Sequence, residues 1–130
     1  MNEEEKSKLS IPHLRVLELL SQVGRLGGLS RSRLAERLER DTTYVSRVVG
    51  YKDPEKRQRF LETTYGKGIG IPLLDLGYVR EVEIESDGYS MSLLQITNDG
   101  LKAYAEGKQR LKDYRTKLAT RSNHAADCEE

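Results

Sequence analysis

The sequence predicts a mainly α, α+β fold: three helices, a two-stranded β-hairpin and a further long helix. Three observations carry this. From Leu29 to Val49, LSRSRLAERLERDTTYVSRVV places apolar residues at helical spacing in two short runs with a tight turn between them. From Tyr78 to Ile96 the period falls to two, with Asp87-Gly88 at the centre, as in a hairpin. Beyond Asn98, Leu101, Tyr104, Leu111 and Leu118 recur at spacings of three and seven, a helical stripe.

The elements follow in order. Residues 1–10 are polar and acidic and are expected to fray. Ser10 then precedes Ile11-Pro12, and proline fits a first helical turn, where its missing N–H costs nothing. Val16, Leu17, Leu19, Leu20 and Val23 make the apolar stripe of this helix, which Gly24 ends. Gly27-Gly28 marks a connector. Ser30 can cap the second helix, whose buried side is Leu34, Ala35 and Leu38. Asp41 can cap the third, with Val45, Val48 and Val49 turned inward. Small Ala35 lets the two helices cross closely at a steep angle.

Gly50 stops the third helix, and Asp53-Pro54 starts another that reads on to Gly66. The run Gly66 to Gly70 reads as flexible, and it lacks the spacing of a phosphate loop. Residues 71–76 read as a short helix stopped by Gly77. The first hairpin strand puts Val82 and Ile84 on one face and Val79, Glu81, Glu83 and Glu85 on the other. Thr97 or Asn98 caps the final helix, which is expected to end near Thr120, leaving 121–130 as a disordered tail. The expected organisation is thus one domain over 11–97, with 51–70 inserted in it, followed by a helix over 98–120.

The net charge of +1 conceals an uneven distribution. Residues 11–60 hold 11 Lys/Arg against 6 Asp/Glu, whereas residues 61–100 hold 2 against 7. The two-helix stretch therefore lies in the basic part, as a phosphate-binding surface requires, although unevenness of this size is common on solvated faces. On the third helix Thr42, Thr43, Tyr44, Ser46 and Arg47 remain outward, short polar groups with one ring and one guanidinium. They suit a helix lying in a DNA major groove, against the plainer reading of a polar surface face. Ser30, Arg31 and Arg33, at the start of the second helix, suit one phosphate.

Three helices, a hairpin and a helix is the winged-helix order. LAERLERDTTYVSRVV resembles the helix-turn-helix of MarR-type winged-helix regulators in the Leu-Ala pair, Leu38, the cap at Asp41 and Val45-Ser46-Arg47. LLDLGYVREV is similar to the entry into that family's first wing strand, and LLQITNDGLKAY to its second wing strand and the following "LT-x-x-G" helix start. The resemblance implies a winged helix-turn-helix that binds double-stranded DNA through the helix at 42–49 and regulates transcription. It also implies a homodimer held by the terminal helix, for which Leu101, Tyr104, Leu111 and Leu118 are the candidates.

Three departures stand out. Glu39 and Arg40 occupy turn positions where the family has glycine and an apolar residue. Residues 51–70 are inserted. The wing carries Arg80 as its only basic residue, amid Glu81, Glu83, Glu85 and Asp87. An acidic wing repels phosphates, so it either points away from DNA or meets a protein. Lys52, Lys56, Arg57, Arg59 and Lys67 of the insertion could then hold the backbone instead.

No nucleophile–base pair or convergent carboxylates appear, so no catalysis is expected. Cys128 stands alone, which excludes an internal disulfide or a cysteine zinc cluster, and His13, His124 and Cys128 do not form a metal site. No cofactor is expected, and no effector is readable. No run approaches the ~20 apolar residues of a membrane helix, and MNEEEKSK carries no secretory pattern, so the expected compartment is cytoplasmic. Two alternatives share the architecture: a winged-helix protein-interaction module, and a DNA-binding protein of replication or mobile elements.

Overall fold

Side-chain caps start the helices of the first half of the chain. In the computed structural model, residues 9–24 and 27–128 are described. Helix α1 (Ile11–Val23) begins at Ser10, α2 (Arg31–Leu38) at Ser30, α3 (Thr42–Val49) at Asp41 and α4 (Pro54–Leu61) at Asp53, each cap accepting a backbone N–H of the first turn. Gly24 and Gly50 end α1 and α3.

The insertion differs from its expected form. Helix α4 ends at Leu61, and a separate helix α5 (Thr64–Ile69), capped by Thr63, covers most of the glycine run. Packing overrides the low helix propensity of glycine here: Gly66 lies so close to α4 that a Cβ would collide with the Phe60 carbonyl. The insertion is pinned from both sides. Arg57 donates to the Tyr51 carbonyl (2.8 Å) and pairs with Asp75 (3.1 Å), and the Tyr51 and Phe60 rings meet edge to face.

After α6 (Leu73–Leu76), the hairpin pairs β1 (Val79–Ser86) with β2 (Tyr89–Ile96), in register from Val79 opposite Ile96 to Ser86 opposite Tyr89. Asp87 and Gly88 both take positive φ, as a two-residue hairpin turn requires. On the other side of β2, Leu29 and Leu94 exchange backbone hydrogen bonds (3.1 and 2.8 Å), so β1 is the outer strand.

Helix α7 (Asn98–Cys128) runs 31 residues, past the expected end at Thr120 and through most of the stretch read as a disordered tail. Polarity alone suggested that end, and no proline interrupts the stretch. Thr97 accepts the Gly100 N–H (3.1 Å). Gly100 is the glycine of the "LT-x-x-G" pattern, and the structure supplies its reason: a Cβ there would collide with the Tyr78 carbonyl.

The core joins Leu14, Leu17 and Leu20 of α1, Leu34 and Leu38 of α2, all three inward valines of α3, and Val79, Leu94 and Ile96 at the hairpin base. Each such side chain contributes about 1.5–3 kcal/mol by leaving water. Leu9 is buried as well, so the packed region begins before the expected Ile11; residues 1–8 lie outside the described residues. His13 is 1% exposed and closes a capping box with Ser10. Ser10 N–H donates to its Nδ1 (3.1 Å), leaving the proton on Nε2 to donate to the Ile71 carbonyl (2.9 Å). Burial holds this ring neutral and lowers its pKa from 6.5 to about 4.

Candidate nucleic-acid interface

The α2–α3 turn survives without glycine. Glu39 itself adopts the left-handed conformation (φ 57°, ψ 41°), its N–H donates to the α2 carbonyls, and Arg40 N–H returns to the Ala35 carbonyl (3.0 Å). Ala35, Leu38, Val45 and Val48 then meet between the helices, which fixes the outward side of α3.

That side is smaller than expected. Thr42 and Thr43 are exposed. Tyr44 is half-buried against the core, with the Arg40 guanidinium 4.9 Å from its ring centre. Ser46 and Arg47 are half-buried. Exposed Arg33 stands near the start of α2, and Arg37 and Arg40 are exposed beside the turn. Neither Arg37 nor Arg40 had been singled out as a contact, although two more cations beside the turn in the same basic stretch were a usable signal.

Arg31 does not stand open to a phosphate. Its guanidinium holds Glu81 of the wing by two bonds (Nε 3.1 Å, Nη2 3.0 Å) and donates to Ser46 Oγ (3.3 Å). Both members of the pair are largely covered, at 17% and 13% side-chain exposure. The Glu81 carboxylate, expected only as one of the acids of the wing, is thus the clasp between wing, α2 and α3. Ser30 is likewise occupied, accepting the Arg33 N–H (3.2 Å).

The insertion residues divide in the same way. Arg57 is structural, held by Tyr51 and Asp75, and Lys52 reaches back to Ser92 Oγ of β2 (2.8 Å). Lys56, Arg59 and Lys67 are exposed.

The residues expected to form a dimer stripe on α7 are not brought to one open face. Leu111 is 1% exposed in its own domain, Leu101 packs on the core, and Tyr104 donates to Glu18 of α1 (3.4 Å). Arg115 adds two bonds to the same carboxylate (2.7 and 2.8 Å) and holds its pKa below the usual range. Leu118 remains exposed, joined by Tyr114. Between α1 and α7 lies an open cleft of about 550 Å³ bordered by Glu18, Tyr104, Lys108 and Lys112.

Among the described residues no group of three or more His, Cys, Asp or Glu is placed to hold a metal, and no helix is long and apolar enough to cross a membrane. His124 and Cys128 lie where only the backbone is described.

Neither protein-family models nor curated proteins give a match to this chain. Among solved structures it is similar to the PcaV transcriptional regulator from Streptomyces coelicolor, crystallised in complex with its natural ligand. The two superpose with a TM-score of 0.51 at 21% identity, over 92% of this chain and 75% of that one. The fold is the winged helix that the sequence resemblance implied, and three helices, α4, α5 and α6, lie between the third helix and the wing.

Proposed function

We propose that this chain binds double-stranded DNA in a sequence-specific way and acts as a homodimeric transcriptional regulator in the cytoplasm. The observation that carries the proposal is the surface around the helix-turn-helix. Exposed Thr42 and Thr43 stand at the start of α3, with Arg33, Arg37 and Arg40 exposed on the adjoining helix and turn. Short hydroxyls can approach base edges while the guanidinium groups neutralise phosphates on either side. Tyr44, Ser46 and Arg47, half-buried, line the same helix, and Ser30 and Arg31 hold its frame. Exposed Lys56 and Arg59 on α4, with Lys67 on α5, serve as a second phosphate contact in place of the acidic wing. The fold shared with a transcriptional regulator supports this reading.

The dimer is held through α7, with Leu118 and Tyr114 as its open apolar residues. Two-fold symmetry then sets the recognition helices on half-sites about 10 base pairs apart, one helical turn. Selection from a pool of random duplexes tests this. The expected outcome is enrichment of a palindrome with that spacing; a pool that stays random after repeated rounds would refute sequence-specific binding.

A second reading, a protein-interaction module, is favoured by one observation: the hairpin tip exposes Ile84, Tyr89 and Met91.

A further inference from the structure

The sheet ends on an open edge. Among the described residues β1 pairs with β2 alone. The ladder decides which of its peptide groups are left over. Leu94 exchanges both backbone bonds with Leu29 (3.1 and 2.8 Å), so its N–H and C=O face away from β1. In an antiparallel pair, opposed residues share that character, and it alternates along each strand. Glu81 opposes Leu94, so the outward N–H and C=O groups belong to Glu81, Glu83 and Glu85. Glu83, Ile84 and Glu85 are all exposed.

Edge strands are ordinarily blunted by proline, a bulge or lysine. Strand β1, VREVEIES, has none of these, and all eight residues pair in one unbroken register. Its alternation also divides the ribbon. Val82 and Ile84 share one face with Tyr89, Met91 and Leu93, and Glu83 and Glu85 stand on the other. On the apolar face Ile84 is 45%, Met91 55% and Tyr89 78% exposed. On the acidic face Lys52 donates to Ser92 Oγ, opposite Glu83, and offsets one charge among Glu83, Glu85 and Asp87. The edge therefore stays acidic. Two copies of β1 laid antiparallel, edge to edge, would set their outward residues opposite one another, glutamate against glutamate. Charge excludes a second copy as the occupant.

We infer that the open edge of β1 takes, as a further strand, an extended segment of another protein in which basic and apolar residues alternate. The segment's backbone bonds to the outward N–H and C=O groups of Glu83 and Glu85. Its lysine or arginine side chains stand beside those two carboxylates, and its apolar side chains extend the Val82–Ile84–Met91 surface on the opposite face. Glu81 sets the inner limit, because Arg31 already holds its carboxylate. The inference goes beyond the DNA-binding reading and needs neither DNA nor a dimer. It names the occupant that a protein-interaction role for the hairpin requires.

Fluorescence anisotropy on the full chain tests it with two labelled peptides. One is Lys-Val-Lys-Val-Lys-Val; the other has the same composition with all lysines first. The alternating peptide is expected to bind about tenfold or more tightly, since only alternation meets both faces of the edge at once. Glu83→Gln/Glu85→Gln should weaken it about fivefold or more. Glu83→Pro removes an outward N–H without breaking a β1–β2 bond, and should weaken binding beyond Glu83→Gln alone. Circular dichroism confirms that each variant folds.

Equal binding of the two peptides would overturn strand addition in favour of plain attraction between charges. Glu83→Pro indistinguishable from Glu83→Gln would overturn it as well. No binding of the alternating peptide up to about 1 mM would remove the site altogether. The duplex selection is independent of all these outcomes, so the two readings fail separately.

Discussion

The helix-turn-helix and the hairpin are each amphipathic, and they spend their polar faces differently. In α2 and α3 the apolar side is wholly buried, and the hydroxyls of Thr42 and Thr43 and the guanidinium groups of Arg33, Arg37 and Arg40 are left in water. In the hairpin the polar face turns inward at its base, where Glu81 is clamped by Arg31, while the apolar face is uncovered at the tip. One region leaves cations and hydroxyls in water, and the other leaves apolar side chains there. Charge sign alone does not reveal this division, because one of the wing's four carboxylates, that of Glu81, is already paired with Arg31.

The seams between these regions are where the comparison can be broken. The largest effect is expected at His13, which ties α1 to the Ile71 carbonyl just ahead of the wing. Its ring takes a proton far less readily in the folded chain than in the unfolded one, where its pKa is the ordinary 6.5. The stability this contributes is complete above pH 6.5 and is lost as pH falls towards 4. Urea unfolding across that window should show a loss of about 3 kcal/mol, absent in His13→Gln. An equal slope in the variant would remove His13 as the cause.

Next comes Arg31→Ala, which leaves the largely covered Glu81 carboxylate without its cation and Ser46 without its donor. Thermal or urea unfolding is expected to register about 2 kcal/mol of destabilisation, much of it recovered when Glu81→Gln is added. A cost below about 0.5 kcal/mol would place the pair among ordinary surface bridges and dissolve the clasp. The smallest effect has the opposite sign. Glu39 holds a left-handed conformation that favours glycine, so Glu39→Gly is expected to stabilise the chain by up to about 1 kcal/mol. A loss instead would mean that the glutamate side chain supports the turn.

What was legible in the sequence was local. Ser10, Ser30, Asp41 and Asp53 announce helix starts because a cap and the N–H it accepts lie within three residues of one another. Asp87-Gly88 announces the hairpin because both positions require positive φ. The inward stripes of α1, α2 and α3 were legible for the same reason, since helical period is a short-range property. What was not legible depends on distant partners. Arg31 looked like a phosphate ligand because Glu81 is 50 positions away, and Arg57 looked like a clamp because Asp75 is 18 positions away. Leu111 looked like a dimer contact because its period matches Leu118, although it packs on its own core. The helix over Gly66 to Ile69 was missed because propensity argued against it, although Thr63 caps it; the close approach to Phe60 explains why Gly66 stands within it.

The central claim is that α3 and the cations beside it grip DNA while the wing does not. The most direct measurement is a titration of a random-sequence duplex by fluorescence anisotropy across a salt series, with three proteins compared. These are the wild type, Thr43→Ala/Arg47→Ala on α3, and Lys56→Ala/Arg59→Ala on the insertion. The account predicts salt-dependent binding by the wild type and weaker binding by the α3 variant. For the insertion variant it predicts a log–log salt slope shallower by about 1.8, the loss of two phosphate contacts. Wild-type binding absent even at low salt, or unchanged in both variants, would contradict it.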